Sequence, residues 1–330
     1  MQAAKIVVTG GTTYIGRAFV DYALTLPVKS ILVYSQDELM IFEMQKRIKD
    51  QRVEYMLGNI SDKDRLIIAF KGADYVLHAD ITQEVYSAEV NPNPTIDTNI
   101  FGTINVIEAA IKRKVKAVIS VSNDKGVAPS TTYGCTILAH EHLCIDGNTY
   151  NTNNSKFSVI RSGNIWGIEQ DAIHAMFNSI AKDNSLYMTN GEATRFYTKI
   201  VDLCQFIVWT FENMAGGEVF VPKVPSAKLK DIISAIKKDD TKITEKHVLR
   251  LGEKKHSIHV SEEEARHTFE NERCYIIVPE RKWWPHKLHK WAGLSALKDG
   301  QIISSDINSK FLTVDQIREI VKSEYKESSH

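Results

Sequence analysis

The opening sixteen residues constrain the fold more than any other stretch of the chain. A short apolar run, Lys5-Ile6-Val7-Val8, leads into Thr9-Gly10-Gly11-Thr12-Thr13-Tyr14-Ile15-Gly16 and then into an apolar stretch with helical periodicity. The order is strand, glycine turn, helix start. Such a turn aims backbone N–H groups and the positive end of a helix dipole at one point, which suits a pyrophosphate. One position breaks the pattern: Thr13 stands where the middle glycine of the turn belongs.

Up to about Arg161 the chain alternates short apolar runs with longer periodic ones. Strands are predicted at 5–9, 30–34, 53–57, 75–78, 117–121 and 157–161, with helices near 14–26, 37–49, 63–70, 95–113 and 132–145. This alternation predicts an α/β fold with a Rossmann-like, doubly wound parallel sheet over residues 1–165. Its ligand belongs at the carboxyl ends of the strands. Residues 166–330 are expected to form a smaller substrate domain, with segments near 198–222 returning to the first. There the alternation loosens. Helices are predicted at 201–213 and 227–237 and a strand at 218–221. Thr313 with Gln316 three residues on makes a capping box for a closing helix.

Composition excludes several classes. Lys+Arg and Asp+Glu balance at 41 each, so no global field favours nucleic acid or an anionic membrane. No apolar run approaches the roughly 18–20 residues a bilayer span needs. The N-terminus enters a strand directly, which argues against a signal peptide. Cys135, Cys144, Cys204 and Cys274 are scattered without metal spacing and read as reduced thiols in a cytoplasmic compartment. His286 with His289, and His256 with His259, lack acidic or thiol companions, so no metal is expected. The basic, Trp-rich stretch 281–291 suits a subunit or partner contact; the plainer alternative tucks its tryptophans onto the body.

The chain resembles the extended short-chain dehydrogenase/reductases, and within them the inverting UDP-N-acetylglucosamine 4,6-dehydratases of polysaccharide and glycan synthesis. The resemblance rests on Thr9-Gly10-Gly11 with Gly16, Tyr34-Ser35-Gln36-Asp37-Glu38-Leu39, Thr98-Asn99 with Gly102-Thr103, Ser122-Asn123-Asp124-Lys125, Tyr133-Gly134 and Arg161 with Gly163-Asn164. It continues through Thr194-Arg195-Phe196, 216–223, Gly252-Glu253-Lys254 and 263–268. What it implies is oxidation of a sugar at C4 by NADP with a tyrosine base, loss of water across C5 and C6 through an Asp-Lys pair, and return of hydride at C6.

By the same resemblance the cofactor lies against Gly10, Thr12, Thr13, Tyr14, Ile15 and Gly16, and further along against Gln36, Asn59, Ile60, His78 and Asn99. The catalytic group is Asp124, Lys125 and Tyr133. Gln83, Asn164, Thr194, Arg195, Arg250 and Glu253 fall at substrate positions, with Arg195 and Arg250 the arginines suited to phosphate.

The family's scaffolding is kept and much of its chemistry is replaced. Thr13 replaces a glycine, adds bulk beside the pyrophosphate and is disfavoured at positive φ. Gln36 replaces an arginine that would fork onto the 2′-phosphate of NADP, and Asn59 an aspartate near the adenine. After the fourth strand His-Ala-Ala-Ala-Leu-Lys-His-Val becomes His78-Ala79-Asp80-Ile81-Thr82-Gln83-Glu84-Val85. Asn123 replaces a hydroxyl residue, and Ile137 the lysine that would lower the tyrosine pKa. At its unperturbed pKa a tyrosine is only about 0.1% ionised at pH 7. These changes point first to a UDP-sugar-binding relative whose dehydratase reaction is impaired or lost. In that role it would bind NADP or NAD weakly and act as a homo-oligomer or as the partner of a related active enzyme. The alternatives are an active dehydratase and a cofactor-independent epimerase of a 4-keto sugar.

Overall fold

In the computed structural model the described residues are 1–325 other than 83–84, 152, 169–171, 189, 246–252, 282–283, 285–289 and 292, with 187 and 245 described in their backbone alone. The first half runs β1 (Lys5–Thr9), α1 (Tyr14–Leu24), β2 (Ser30–Ser35), α2 (Glu38–Arg47), β3 (Val53–Leu57), α3 (Lys63–Ala69) and β4 (Tyr75–His78). Two short helices, α4 (Val85–Val90) and α5 (Pro92–Ile96), lead through a π-helical turn (Asp97–Gly102) into α6 (Thr103–Arg113). Then come β5 (Ala117–Asn123), a 3-10 turn (Asp124–Gly126), α7 (Thr132–Asp146) and β6 (Lys156–Ser162).

These strands lie in the order β3-β2-β1-β4-β5-β6, all parallel. Helices cover both faces, so β1, β2 and β5 are buried almost end to end, as their unbroken apolar runs require. The order reverses between β1 and β4, where Thr9 stands beside His78 in register. A crevice opens at such a switch point. Side chains fix the helix starts: Asp37, Asp62 and Thr131 accept the N3 backbone N–H of α2, α3 and α7. The expected helix 95–113 is the one that breaks, because the π turn interrupts it.

The second half runs β7 (Asn164–Ile165), α8 (Ala172–Asp183), β8 (Ser185–Met188), β9 (Thr194–Thr198), α9 (Ile200–Asn213), β10 (Val219–Pro222), β11 (Ser226–Lys228), α10 (Leu229–Ile236) and β12 (Lys242–Glu245). It closes with β13 (Ile258–Val260), α11 (Glu262–Ala265), β14 (Thr268–Glu270), β15 (Cys274–Ile277), β16 (Ser295–Ala296), β17 (Ile303–Ser304) and α12 (Val314–Glu324). β10 lies parallel to β6 in the main sheet, and β15, β14 and β16 extend it antiparallel. α9 adds Leu203, Ile207 and Phe211 to the core around Phe19 and Ile119. Thr198, by contrast, ends a strand of a separate sheet, β11-β9-β7, rather than returning to the first. Thr313 and Gln316 form the capping box of α12.

Trp284 and Trp291 are buried, their Nε1 groups donating to the Gly216 carbonyl at 2.8 Å and to Glu218 Oε1 at 3.1 Å. Those two anchor the stretch to the body and offer nothing to a partner, which corrects the expected contact for both. Trp283, His286 and His289 lie outside the described residues. Among the described residues no helix is long and apolar enough to cross a membrane, and no group of three His, Cys, Asp or Glu could hold a metal.

Candidate functional site

The glycine turn sits at the switch point. Gly10 has φ +63°, and a Cβ there would lie 2.7 Å from Asp80 Cα, so only glycine fits. Gly16 is pressed against Gly10 and Gly11. Thr13 corrects one expectation: its backbone is extended, φ −66° and ψ 165°, so positive φ is no obstacle. Its hydroxyl donates to the Gly10 carbonyl at 2.7 Å and accepts from Gly16 N at 3.2 Å, which makes it the N-cap of α1. The side chain thus stabilises the helix start by about 1 kcal/mol, the usual worth of such a cap. Tyr14 and Ile15 open the helix, Tyr14 reaching the Trp166 carbonyl.

A dinucleotide fits the frame of this site better than its lining. Thr12 is tied to Ser35 at 2.6 Å. Just beyond β2 and β3 Asn59 Nδ2 donates to Gln36 Oε1, so the two side chains satisfy each other, and Tyr34 donates to the Asn59 carbonyl at 2.8 Å. A neutral amide pair thus stands where the resemblance places the 2′-phosphate of NADP, and it offers no cation. Ile60, buried, packs against Gly102.

Beneath the crevice runs a buried polar chain. Thr103 Oγ1 donates to the Asn99 carbonyl at 2.7 Å and faces His78 Nε2 at 3.3 Å and His140 Nδ1 at 2.8 Å. One hydroxyl proton serves one acceptor, so both rings must donate to Thr103. His78 Nδ1 then accepts from Thr9 (2.8 Å) and His140 Nε2 from Ser120 (2.6 Å). Both rings are neutral: burial drives His78 well below its ordinary value, helped by His140, and His140 down to about 4. Asn99 Oδ1 accepts from Thr82 N at 2.8 Å while its Nδ2 donates to Thr136 at 3.0 Å, fixing the loop after β4 to α7.

This chain predicts acid lability. Unfolded histidines protonate near pH 6.5, whereas folded His78, His140 and His259, the last pushed to about 3 by burial, stay neutral. Asp80 acts oppositely, since burial raises its folded carboxyl to about 6. Unfolding between pH 6 and 4.5 therefore takes up about two protons net, and stability should fall on acidification by about 3 kcal/mol per pH unit. Urea unfolding at pH 7 and pH 5 measures this; equal midpoints would contradict the neutral histidines.

At the ends of β5 and β6 a cleft of about 170 Å³ is lined by Ile15, Asn123, Asp124, Lys125, Tyr133 and Asn164, among others. Lys125 Nζ lies 2.6 Å from Asp124 Oδ1. Burial would raise the Asp124 carboxyl, but Lys125's charge and the hydrogen bonds from Lys125 and Ser257 outweigh it and hold the carboxyl near 2. Tyr133 is buried, and its hydroxyl accepts from Asn123 Nδ2 at 2.9 Å. Burial pushes this phenol well above its ordinary value and the Asp124 charge adds to that, while the Asn123 hydrogen bond opposes only in part. Ile137 is fully buried with Tyr133, Ile81 and Ala88 in one apolar cluster. Where an ammonium would neighbour the phenol there is hydrocarbon. Glu89 caps the same helix, accepting from Tyr133 N at 3.0 Å.

The second half supplies further groups. Arg195 donates to the carbonyls of Thr194 and Lys255 at 2.8 and 3.0 Å and pairs with Glu253 at 3.4 Å. Thr194 is buried, its hydroxyl held by His256 and Ser305 at 2.8 and 2.6 Å. Gln83 and Arg250 lie outside the described residues. Sequence reasoning named Lys254 only within the motif Gly252-Glu253-Lys254, weighed His259 only as a metal ligand, and passed over Ser257. Lys254 Nζ reaches the Val127 carbonyl just after Asp124-Lys125. Its amine is lowered by burial, with Asp124 opposing and Lys125, Arg161 and Arg195 reinforcing, so these charges share one neighbourhood. The sole prior sign was its place in Gly252-Glu253-Lys254.

Residues 6–279 match the family described as polysaccharide biosynthesis protein. The inverting UDP-N-acetylglucosamine 4,6-dehydratase of Campylobacter jejuni (strain 81-176) is 34% identical over 328 residues, 96% of this chain and 97% of that one. Among solved structures, Pen from Bacillus thuringiensis superposes with a TM-score of 0.87 at 27% identity, covering 98% of this chain and 99% of that one. The dTDP-glucose 4,6-dehydratase DesIV of Streptomyces venezuelae, solved with NAD, shares the fold at a TM-score of 0.66 and 18% identity over 76% of this chain and 86% of that one.

Proposed function

This chain belongs to the polysaccharide biosynthesis protein family, and from that premise we propose that it binds a nucleotide sugar in the cleft without completing the 4,6-dehydratase reaction. One observation carries the reading: the Tyr133 phenol is enclosed by Ile137 and the Asn123 amide, with no ammonium in hydrogen-bond reach among the described residues. A bound nicotinamide would supply hydride acceptance at the sugar's C4. That step also needs the C4 hydroxyl proton removed, and a tyrosine with a raised pKa is a poor base for it. Weak dinucleotide binding with no preference for NADP accords with the Gln36–Asn59 pair. A role beside a related active enzyme, in the cytoplasm, is in keeping with a nucleotide-binding scaffold.

The Asp124–Lys125 pair supports a second reading. A carboxylate and an ammonium in contact, both beside the cleft, can exchange a proton at the carbon next to a ketone. That would suffice to epimerise C5 of a 4-keto nucleotide sugar made elsewhere, with no redox cofactor.

Titration calorimetry tests the binding claim. UDP should bind below millimolar and NADP only above micromolar dissociation constants. Arg195→Ala should weaken UDP by about 1.5–3 kcal/mol through its lost charge-assisted bonds. Silence with millimolar UDP rejects the nucleotide reading; sub-micromolar NADP rejects the weakened cofactor site.

A further inference from the structure

Tyr133 is a poor base, and its hydrogen bonds show what it can do instead. Asn123, at the end of β5, caps the 3-10 turn: its Oδ1 accepts from Lys125 N at 3.0 Å. A backbone N–H only donates, so this bond fixes which end of the amide is the oxygen. The –NH2 end therefore faces the phenol, and Nδ2 donates to the Tyr133 hydroxyl at 2.9 Å. A hydroxyl at position 123 could turn to accept; the pinned amide cannot. Toward Asn123 the phenol oxygen is thus an acceptor, and its own proton must be spent elsewhere.

Among the described residues no group accepts that proton. Glu89 on α4 is occupied with the Tyr133 N–H at 3.0 Å, and Thr136 donates to the Tyr133 carbonyl at 2.8 Å. Ile81, Ala88 and Ile137 bring only hydrocarbon. The Asp124 carboxylate is engaged by Lys125 at 2.6 Å and by Ser257. Yet Tyr133, Asn123, Asp124 and Lys125 all line one cleft. A buried O–H without an acceptor is costly, and a ligand oxygen in the cleft recovers that cost.

We propose that Tyr133, held in one polarity by Asn123, is a hydrogen-bond donor to the ketone oxygen of a nucleotide sugar that enters the cleft already oxidised at C4. The inference rests on the second reading above, proton exchange by Asp124 and Lys125, and it names the oxygen that this chemistry needs held. An alcohol at C4 would need its own proton accepted, and the phenol oxygen already faces the Asn123 amide. A ketone only accepts, so the site's single free donor matches it.

The step balances without a redox partner. The C5–H bond breaks and its proton passes to the Asp124 carboxylate. The bonding pair forms C4=C5, and the carbonyl π pair moves onto the C4 oxygen, where the Tyr133 O–H holds the new negative charge. Return of a proton to C5 reverses these movements, and nothing is oxidised or reduced. A preformed donor aimed at developing charge in a closed site is an effective stabiliser. Burial, with the Asp124 charge adding, keeps the phenol protonated, so the donor is present at working pH. The property that disables Tyr133 as a base equips it for this role.

The probe is a UDP-linked 4-keto-6-deoxy-N-acetylhexosamine labelled with ¹³C at C4, followed by NMR in D₂O. Deuterium uptake at C5 collapses the C6 methyl doublet to a singlet, and the bound ketone ¹³C signal reports the hydrogen bond to its oxygen. Wild-type protein should exchange C5 and hold that signal downfield of its position in Tyr133→Phe. Tyr133→Phe keeps the ring and its packing and should slow exchange by about 10²–10³-fold, the worth of one oxyanion donor, through kcat with KM little changed. Asn123→Asp should slow exchange similarly, because its carboxylate draws the phenol proton away from the ketone; it carries the test should Tyr133→Phe fail to fold, which urea unfolding shows. Equal rates and equal ¹³C positions in wild type and Tyr133→Phe overturn the donor role and leave the proton-exchange reading standing. Exchange by Asn123→Asp at the wild-type rate overturns the fixed polarity. A ¹³C difference with no exchange in any protein supports the ketone donor and defeats the proton-exchange reading instead. Failure of the wild type to bind the keto sugar overturns both.

Discussion

Purified protein supplied with UDP-N-acetylglucosamine and NADP is expected to give no 4-keto-6-deoxy product at the rates typical of enzymes, about 1 per second or faster. On the proposed reading the block lies at Tyr133. Positioned acid–base groups contribute roughly 10²–10⁴-fold to rate, and the contribution vanishes when the base keeps its proton at working pH. Among the described residues, burial and the Asp124 charge favour the neutral form of this phenol, and the Asn123 amide that opposes them cannot accept the proton onward. Ile137→Lys alone should rescue little. It places an ammonium among Ile81, Ala88 and Tyr133 in a site closed to water, while Thr13 and the Gln36–Asn59 pair still weaken the cofactor's hold. Thr13→Gly, Gln36→Arg and Ile137→Lys together should give measurable turnover. Thr13→Gly carries a cost of its own, because it removes the α1 cap, a loss of a few tenths of a kcal/mol to glycine. Product formation is followed by NMR of the sugar C6 methyl. Family-like turnover by the unmodified chain would establish an active dehydratase instead.

The parallel sheet was legible because its strands are near-continuous apolar runs between capped helices, and a buried strand cannot be written otherwise. β1, β3 and β4 fall at their predicted bounds. The helix expected at 95–113 was less so. Its apolar period runs through the π turn, and the reason for that turn is tertiary: it lets buried Asn99 bond to Thr82 and Thr136 at once. Thr13 was misjudged on conformation because the glycine of the pattern suggests positive φ, when the structural demand falls on Gly10. Lys254, Ser257 and His259 could not be tied to Asp124 by spacing, since more than 120 residues intervene and only the folded chain closes that gap. Trp284 and Trp291 resemble interface anchors in composition; only their hydrogen bonds to the Gly216 carbonyl and Glu218 show that the chain itself has used them.

Arg161→Met should destabilise the protein by about 3–5 kcal/mol, the cost of leaving buried charge without its partner. Arg161, 1% exposed at the end of β6, donates to Glu141 at 2.6 and 3.0 Å, to Glu264 at 2.7 and 3.0 Å, and to the His259 carbonyl at 2.8 Å. Burial disfavours its charge, but the two carboxylates outweigh that and hold it protonated at every accessible pH. Glu141 sits on α7 two turns beyond Tyr133, and Glu264 on α11 just after His259, so this one side chain ties the helix of the candidate base to the second half. A surface pair of similar geometry sets the scale. Arg47 and Asp21, 2.8 Å apart and about half exposed, should contribute under 1 kcal/mol. The two cases separate in urea unfolding, where Arg47→Met should leave the midpoint nearly unmoved and Arg161→Met should shift it far. The double variant Arg161→Met/Glu141→Met should regain part of the loss, because the more deeply buried of the two stranded carboxylates departs with its partner, while Glu264, partly exposed and still accepting from Ser261 N, remains; if it is no better than Arg161→Met alone, uncompensated charge on Glu141 is not the source of the cost. UDP affinity should fall in Arg161→Met beyond what unfolding explains, since the strand leaving Arg161 passes through Gly163 and Asn164 into the cleft and His259 and Ser257 flank Asp124 on the other side.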